Sequence, residues 1–250
     1  LDCLYDVSDV DRVIGQIRAA GDDLAAVVVE CPSNPLIRSC DLARVAAAVR
    51  EQGGVLVIDP TVASIYNVDV LPWTDLLVTS LTKYAAIEGD IMIGALAVNP
   101  DSPLYGDLVL RASSFHTPAY ERDLARLAVE MTKAPVVIRK TNANAARLAD
   151  FLEAHPAVKR VYRMEPASSN AGIRRDAESG GSVVSIELHG SMEKFYDQAR
   201  IMKGPSFGTR FSLICPFMYL AHYDLVSSAE GRGFLNTVGI DPELIRIAVG

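Results

Sequence analysis

Between residues 25 and 59 two short apolar runs flank one helical period. Residues 25-AAVVVE-30 form a continuous apolar run of the kind found in strands buried on both faces. Leu42, Val45, Ala46 and Val49 then recur at i, i+3, i+4, i+7 spacing, with Asp41 placed to cap the start and Gly53-Gly54 to end the helix. A second buried-strand run, 55-VLVID-59, follows. Strand, helix and strand over about 35 residues predict a right-handed βαβ unit of a parallel sheet. The runs 76-LLVTS-80 and 91-IMIGALAV-98 continue that sheet, so the pattern predicts an α/β architecture.

A polar and aromatic stretch covers 105–120, and 122–152 is dominated by helix formers, with Pro135 set to start, kink or break the helix. This region reads as a bridge between domains. Beyond it, 147-RLADFLEAHP-156 carries a helical stripe that ends before Pro156, 157-AVKRVYR-163 is strand-like, and 182-SVVSIEL-188 alternates as a half-buried strand does. The expected division is a larger domain with its linking helix over 1–140 and a smaller α+β domain over 141–250. No repeat period runs through the chain, which argues against a solenoid or propeller.

Composition narrows the partners. Half of the 250 residues are apolar and 22% are charged, which places the chain among folded globular proteins. Its 24 Lys and Arg against 31 Asp and Glu give a net charge of −7, so neither nucleic acid nor an anionic membrane surface is an expected partner. The apolar runs fall well short of the roughly 18 residues of a membrane span. Cys3, Cys31, Cys40 and Cys215 show no paired spacing and read as reduced thiols of a cytoplasmic protein. The N-terminus shows no basic-then-apolar signal, and residues 2–21 already read like the interior of a domain. His116, His155, His189 and His222 lack metal-ligand spacing, so no metal is expected.

Ligands of an open α/β sheet gather beyond the carboxyl ends of its strands. Asp59 closes one predicted strand there, and Lys83 lies just past the next, in 80-SLTKY-84. A carboxylate and a lysine at neighbouring strand ends, with the hydroxyls of Ser80 and Thr82 beside the lysine, suit pyridoxal phosphate. Its aldehyde takes a lysine, its ring nitrogen a carboxylate, and its phosphate short hydroxyl and amide donors. On this pattern alone Asp59 also reads as a turn cap beside Pro60, and Lys83 as a solvated surface lysine.

The segments 29-VECPSNPL-36, 57-VIDPT-61 and 79-TSLTKY-84, in this order and spacing, resemble the core of the Cys/Met-metabolism PLP-dependent enzymes. That family includes cystathionine γ-synthase, the cystathionine lyases and methionine γ-lyase. The likeness continues through 180-GGSVVSIEL-188, 206-SFGTRFSL-213 and 244-LIRIAVG-250, and 66-YNVDVLP-72 and 206-SFGTRFSLICPF-217 are most similar to a fungal-type branch of the synthases. The resemblance implies an aminotransferase-like, fold type I large domain with a mostly parallel sheet, followed by a smaller α+β domain. It implies pyridoxal 5′-phosphate as cofactor, small amino-acid substrates and a homodimer or homotetramer. The implied reaction of sulfur amino-acid metabolism is γ-replacement, joining an activated homoserine ester to cysteine. Elimination of the γ-lyase type is the alternative, and a non-catalytic relative or partner subunit a second one.

Carried over position by position, the resemblance makes Lys83 the cofactor-binding and proton-moving lysine, and Asp59 the partner of the ring nitrogen. Ser80 and Thr82 become phosphate ligands, and Thr61 a neighbour of the ring. Asn34 is placed by the ring hydroxyl and the substrate carboxylate, Arg246 grips that carboxylate, and Ser212 lines the same pocket. Two departures are local: 85-AAIEGD-90 replaces the usual glycine pair and histidine, and Pro60 stands where many members have Asn. A third is larger, because the family's N-terminal third, with its ring-stacking aromatic residue and phosphate contact, has no counterpart in the sequence. These 250 residues are therefore not expected to complete an active site by themselves.

Overall fold

The computed structural model describes residues 6–164 and 172–250. Its first layer contains α1 (Val10–Ala20), β1 (Ala26–Glu30), α2 (Leu42–Glu51), β2 (Val55–Asp59), β3 (Leu76–Ser80) and β4 (Gly94–Val98). The helix starts follow from side-chain caps: Asp9 accepts the Arg12 N–H and Asp41 the Arg44 N–H, each at 3.1 Å. Gly53, at φ +70°, turns the chain out of α2 in a conformation that costs a glycine least.

The sheet order is β1-β2-β3-β4. Strands β1, β2 and β3 are parallel, with Glu30 opposite Asp59, whereas β4 runs antiparallel to β3, with Ser80 opposite Gly94. The fourth strand therefore continues the sheet but reverses it. A parallel return needs a crossover helix, and the 81–93 connection contains none.

Leu56 and Ile58 of β2 pack against Val45 and Val49 of α2 and Val13 and Ile17 of α1 in one core. The opposite face is bare: Val28 is 71% and Leu96 49% exposed. Strand alternation and register put Val57, Asp59, Val78 and Ser80 on that same bare face.

Residues 105–120, expected only as a polar and aromatic stretch, contain a helix, α3 (Tyr105–Phe115), that buries none of its residues. Its weak apolar stripe accounts for the difference. It is followed by α4 (Glu121–Met131) and α5 (Ala134–Glu153), and Pro135 lies in the first turn of α5, where its missing N–H costs nothing. Helix α5 runs through position 140 and leads into the second layer.

That layer contains β5 (Val158–Tyr162), β6 (Val183–Leu188), α6 (Met192–Gln198), β7 (Met202–Lys203), β8 (Leu213–Pro216), α7 (Phe217–Ala221), α8 (Tyr223–Val226), α9 (Ala229–Thr237) and β9 (Ile245–Ala248). Its sheet order is β5-β6-β9-β8-β7, which puts β9 at the centre. Strand β6 is buried on both faces, not one. Val184 and Ile186 meet Ala145, Ala149 and Leu152 of α5, while Ser185 on the other face donates to the Pro35 carbonyl at 2.7 Å.

Among the described residues no helix is long and apolar enough to cross a membrane. Cys31, Cys40 and Cys215 are free and buried, and Cys3 lies outside the described residues with the rest of 1–5.

The start of β3 is fixed by a buried carboxylate: Asp75 accepts the Leu56 N–H at 2.9 Å and the Ser102 hydroxyl at 2.6 Å. Asp75→Ala would leave both buried donors without partners, and we expect it to destabilise the chain by roughly 2–4 kcal/mol. Urea denaturation measures this, and a loss below about 1 kcal/mol would show that water replaces the carboxylate.

Candidate active site

The carboxyl ends of β2 and β3 are tied together by Thr61. Its hydroxyl donates to Asp59 Oδ1, its own N–H reaches the same oxygen at 2.9 Å, and Thr61 Oγ1 accepts the Ser80 N–H at 2.9 Å. Thr79 Oγ1 lies 3.3 Å from Thr61 Oγ1. Among the described residues, Asp59 Oδ2 and the Ser80 hydroxyl make no hydrogen bond, so one acceptor and one donor remain available. Thr82 differs: its Oγ1 accepts the Ile93 N–H at 2.8 Å and donates to Ile93 O at 3.3 Å.

Lys83 follows on a tight turn and is half-buried. Its Nζ donates to Ser206 Oγ at 3.4 Å and lies 5.2 Å from the centre of the Phe207 ring. Burial, then the nearby Arg246 charge, pushes its ammonium below the ordinary lysine value. The neighbouring Tyr84 is buried and spans both layers: its hydroxyl donates to Val62 O at 2.8 Å and accepts from the Ser182 N–H at 3.3 Å. Burial pushes that phenol up.

Arg246 projects from the central strand β9, 3% exposed. Nη1 donates to Asn34 Oδ1 at 3.2 Å, and Nη2 donates to the carbonyls of Pro205 and Ser206. The guanidinium lies 5.1 Å from the Phe207 ring centre and 5.0 Å from that of Phe217. No carboxylate pairs with it among the described residues, and its Nε is buried without a hydrogen-bond partner. The Asn34 N–H donates to Glu30 Oε2 at 3.3 Å. Desolvation and the adjacent Asp59 raise the Glu30 carboxyl above its usual value against the lowering effect of that N–H.

Asp59, Thr61 and Ser80 thus form one strand-end group, while Lys83, Arg246 and Asn34 meet through the 205–207 loop. Ser212 Oγ accepts the Gly250 N–H at 3.0 Å. Ser206, Phe207, Phe217 and Glu30 were not singled out from the sequence. Ser206 and Phe207 stand in the quoted 206-SFGTRFSL-213 and Glu30 in 29-VECPSNPL-36, so the motifs contained the signal without assigning it.

The donor set fits pyridoxal phosphate: an uncommitted carboxylate oxygen at Asp59, a free hydroxyl at Ser80, and a lysine whose charge is disfavoured. A buried guanidinium with an orphan N–H beside them fits the carboxylate of an amino acid. An α/β layer presenting such a lysine and aspartate, with the arginine supplied by the second sheet, fits the fold of a cofactor-dependent amino-acid enzyme.

Residues 4–250 match the family described as Cys/Met metabolism PLP-dependent enzyme, and the chain belongs to it. That family depends on pyridoxal phosphate. Among its relatives is the L-2-amino-4-chloropent-4-enoate dechlorinase/desaturase of Streptantibioticus cattleyicolor, 35% identical over 98% of this chain and 49% of the relative. The cystathionine γ-synthase of Neurospora crassa is 31% identical over 97% of this chain and 39% of its own length. The crystal structure of a cystathionine γ-lyase from Micromonospora echinospora superposes with a TM-score of 0.82 at 27% identity, covering 98% of this chain and 64% of that one. The fold is therefore fold type I. The chain spans half or less of the length of these two curated relatives.

The turn carrying Lys83 rests on Gly208, which sits at φ +77°. A Cβ there would come within 2.6 Å of Tyr84 N and 3.0 Å of the Lys83 carbonyl carbon. Gly208→Ala should therefore destabilise by more than about 1 kcal/mol, through both the strained φ and the displaced turn. A denaturation midpoint equal to that of the parent would show that the turn is not pinned there.

Proposed function

We propose that the full-length protein is a pyridoxal-phosphate enzyme acting at the γ carbon of an L-amino acid, with γ-replacement of the cystathionine γ-synthase type as its reaction. In that reaction an activated homoserine ester would be joined to cysteine. The observation that carries this reading is the meeting of Lys83 and Arg246 on one loop: Ser206 receives Lys83 on its hydroxyl and Arg246 on its carbonyl. An amino acid has two features an enzyme of this class must reach, a Cα–H to be moved and a carboxylate to be held, and these two side chains match them.

When bound, the cofactor supplies an electron sink. Lys83 would hold its aldehyde and then carry the proton at substrate Cα, a task favoured by its lowered affinity for that proton. Asp59, steadied by Thr61, would keep the ring nitrogen protonated through Oδ2. Ser80 would donate to the phosphate, and Thr82 would join it on turning its hydroxyl away from Ile93 O. Arg246 and Asn34 would hold the substrate carboxylate, with Ser212 at the edge of that pocket. The bare sheet face at Val28 and Leu96, which includes Asp59 and Ser80, supports a site completed by polypeptide packed on that face, within a homodimer or homotetramer. The reading also takes the two sheets as two domains, joined through α5 near position 140, in a cytoplasmic protein.

Elimination is a second reading, favoured by one specific relation. The relative at 35% identity is named for a 2-amino acid with chlorine on carbon 4, the γ carbon. Product analysis with and without added cysteine separates the two outcomes.

Reduction with borohydride followed by peptide mapping of the full-length protein should find the pyridoxyl group on Lys83, and its recovery on another lysine would refute the assignment. Arg246→Lys keeps the charge but loses the two-pronged geometry, and Arg246→Ala loses both. Steady-state kinetics should show KM for the amino acid raised in both, Ala more than Lys, as removal of a desolvated ionic partner costs on the order of 2–5 kcal/mol. Cofactor absorbance should stay intact; if it is lost while KM holds, Arg246 has a structural role.

A further inference from the structure

Two cations share a single aromatic ring in this cleft. Lys83 Nζ lies 5.2 Å and the Arg246 guanidinium carbon 5.1 Å from the centre of the Phe207 ring. Neither has a carboxylate partner among the described residues: Lys83 reaches the Ser206 hydroxyl, and Arg246 reaches carbonyls, an amide oxygen and the Cys215 thiol opposite it on β8. Both are removed from water to a large degree and repel each other, a combination that is costly without a compensating group. Asp59, which Thr61 holds through Oδ1, and Glu30, which accepts the Asn34 N–H, form no ion pair with either cation.

We propose that Phe207 is a positioning residue that holds Lys83 and Arg246 in the cleft, its ring face standing where a carboxylate would otherwise be needed. The ring attracts a cation through its quadrupole, and the attraction strengthens as the cation is desolvated. Phe207 is itself fixed: it is 6% exposed and meets the Tyr84 ring edge-on, with centroids 6.0 Å apart at 67°. An acidic side chain at this place would neutralise the cations but would also occupy the arginine and compete with an incoming carboxylate. The ring steadies both charges and leaves the guanidinium able to bind an anion.

The part of this inference that concerns Lys83 is independent of the proposed reaction, and the part that concerns substrate rests on the carboxylate role of Arg246. The test uses the full-length protein with Phe207→Leu and Phe207→Met, which keep apolar volume without the quadrupole, and Phe207→Tyr, which keeps the ring. In cofactor-free protein, reductive methylation by formaldehyde and cyanoborohydride reads the fraction of neutral Lys83, with the exposed Lys140 as internal reference. Loss of the ring removes support for the ammonium form, so Lys83 should be methylated several-fold faster in the Leu and Met variants and at the parent rate in Tyr. In loaded protein, Leu and Met should raise KM for the amino acid several-fold with a smaller change in kcat, and Tyr should restore it. Parent-like Lys83 labelling in both aliphatic variants, or equally fast labelling in Tyr, overturns the proposal. Faster labelling with KM unchanged upholds the hold on Lys83 and refutes the hold on Arg246, whose carboxylate role is decided separately by the Arg246 variants.

Discussion

The rest of the candidate site depends on a buried guanidinium that has no counter-ion among the described residues. Arg246 is almost fully removed from water at the centre of the second sheet, where an unpaired charge is among the most expensive groups a protein can hold. What compensates is a ring of neutral acceptors, the Pro205 and Ser206 carbonyls and the Asn34 amide oxygen, together with the faces of Phe207 and Phe217. These groups come from three separate parts of the chain, the 33–35 loop, the 205–207 loop and the start of α7. The 205–207 loop and the 33–35 loop are consequently fixed relative to β9, and Lys83, which leans on the same loop, is fixed with them.

The two layers are held together at the same place. Ser185 lies opposite Arg246 in the β6–β9 register, and its hydroxyl reaches Pro35 O while Arg246 reaches Asn34. Tyr84, next to Lys83, bonds both Val62 in the first layer and Ser182 just before β6. Substitutions at the junction are therefore expected to act on the geometry of the candidate site as well as on stability, because the same few hydrogen bonds serve both. On the strand-end side Thr61 plays the comparable part, since one hydroxyl orients Asp59 and also receives the Ser80 amide.

Much of the first layer was legible because its signals are local. Val27 to Val29 and Leu56 to Ile58 are apolar runs of strand length, and Asp41 caps a helix whose apolar positions repeat at helical spacing. The direction of β4 was not legible, for an apolar run carries no information about its orientation. Helix α3 is not legible because its apolar stripe is weak, in keeping with a helix that buries none of its residues. Asp59 and Lys83 could be found as charged residues at strand ends. Arg246 meeting Asn34 across 212 positions could not be found by periodicity, and only the resemblance suggested that pairing. Phe207 and Ser206 lack a formal charge, and their part emerges only from the cations placed on them.

The choice of neutral partners for Arg246 has a consequence for ligand selection under the proposed role. A guanidinium–carboxylate pair joins opposite charges and can be bidentate, so an incoming carboxylate competes favourably with neutral carbonyls for the same N–H groups. Were Arg246 paired with a resident Asp or Glu, substrate would have to displace an equal competitor and leave that acid buried and uncompensated. The present arrangement avoids that. The guanidinium is held well enough to stay in place, yet among the described residues its Nε makes no hydrogen bond, a deficit that a second carboxylate oxygen would supply. A monoanionic group with two parallel oxygens meets that requirement, and a neutral amide or ester at the same carbon does not. Under that role, selection for a free α-carboxylate would follow from how the arginine is buried rather than from any further contact with the substrate.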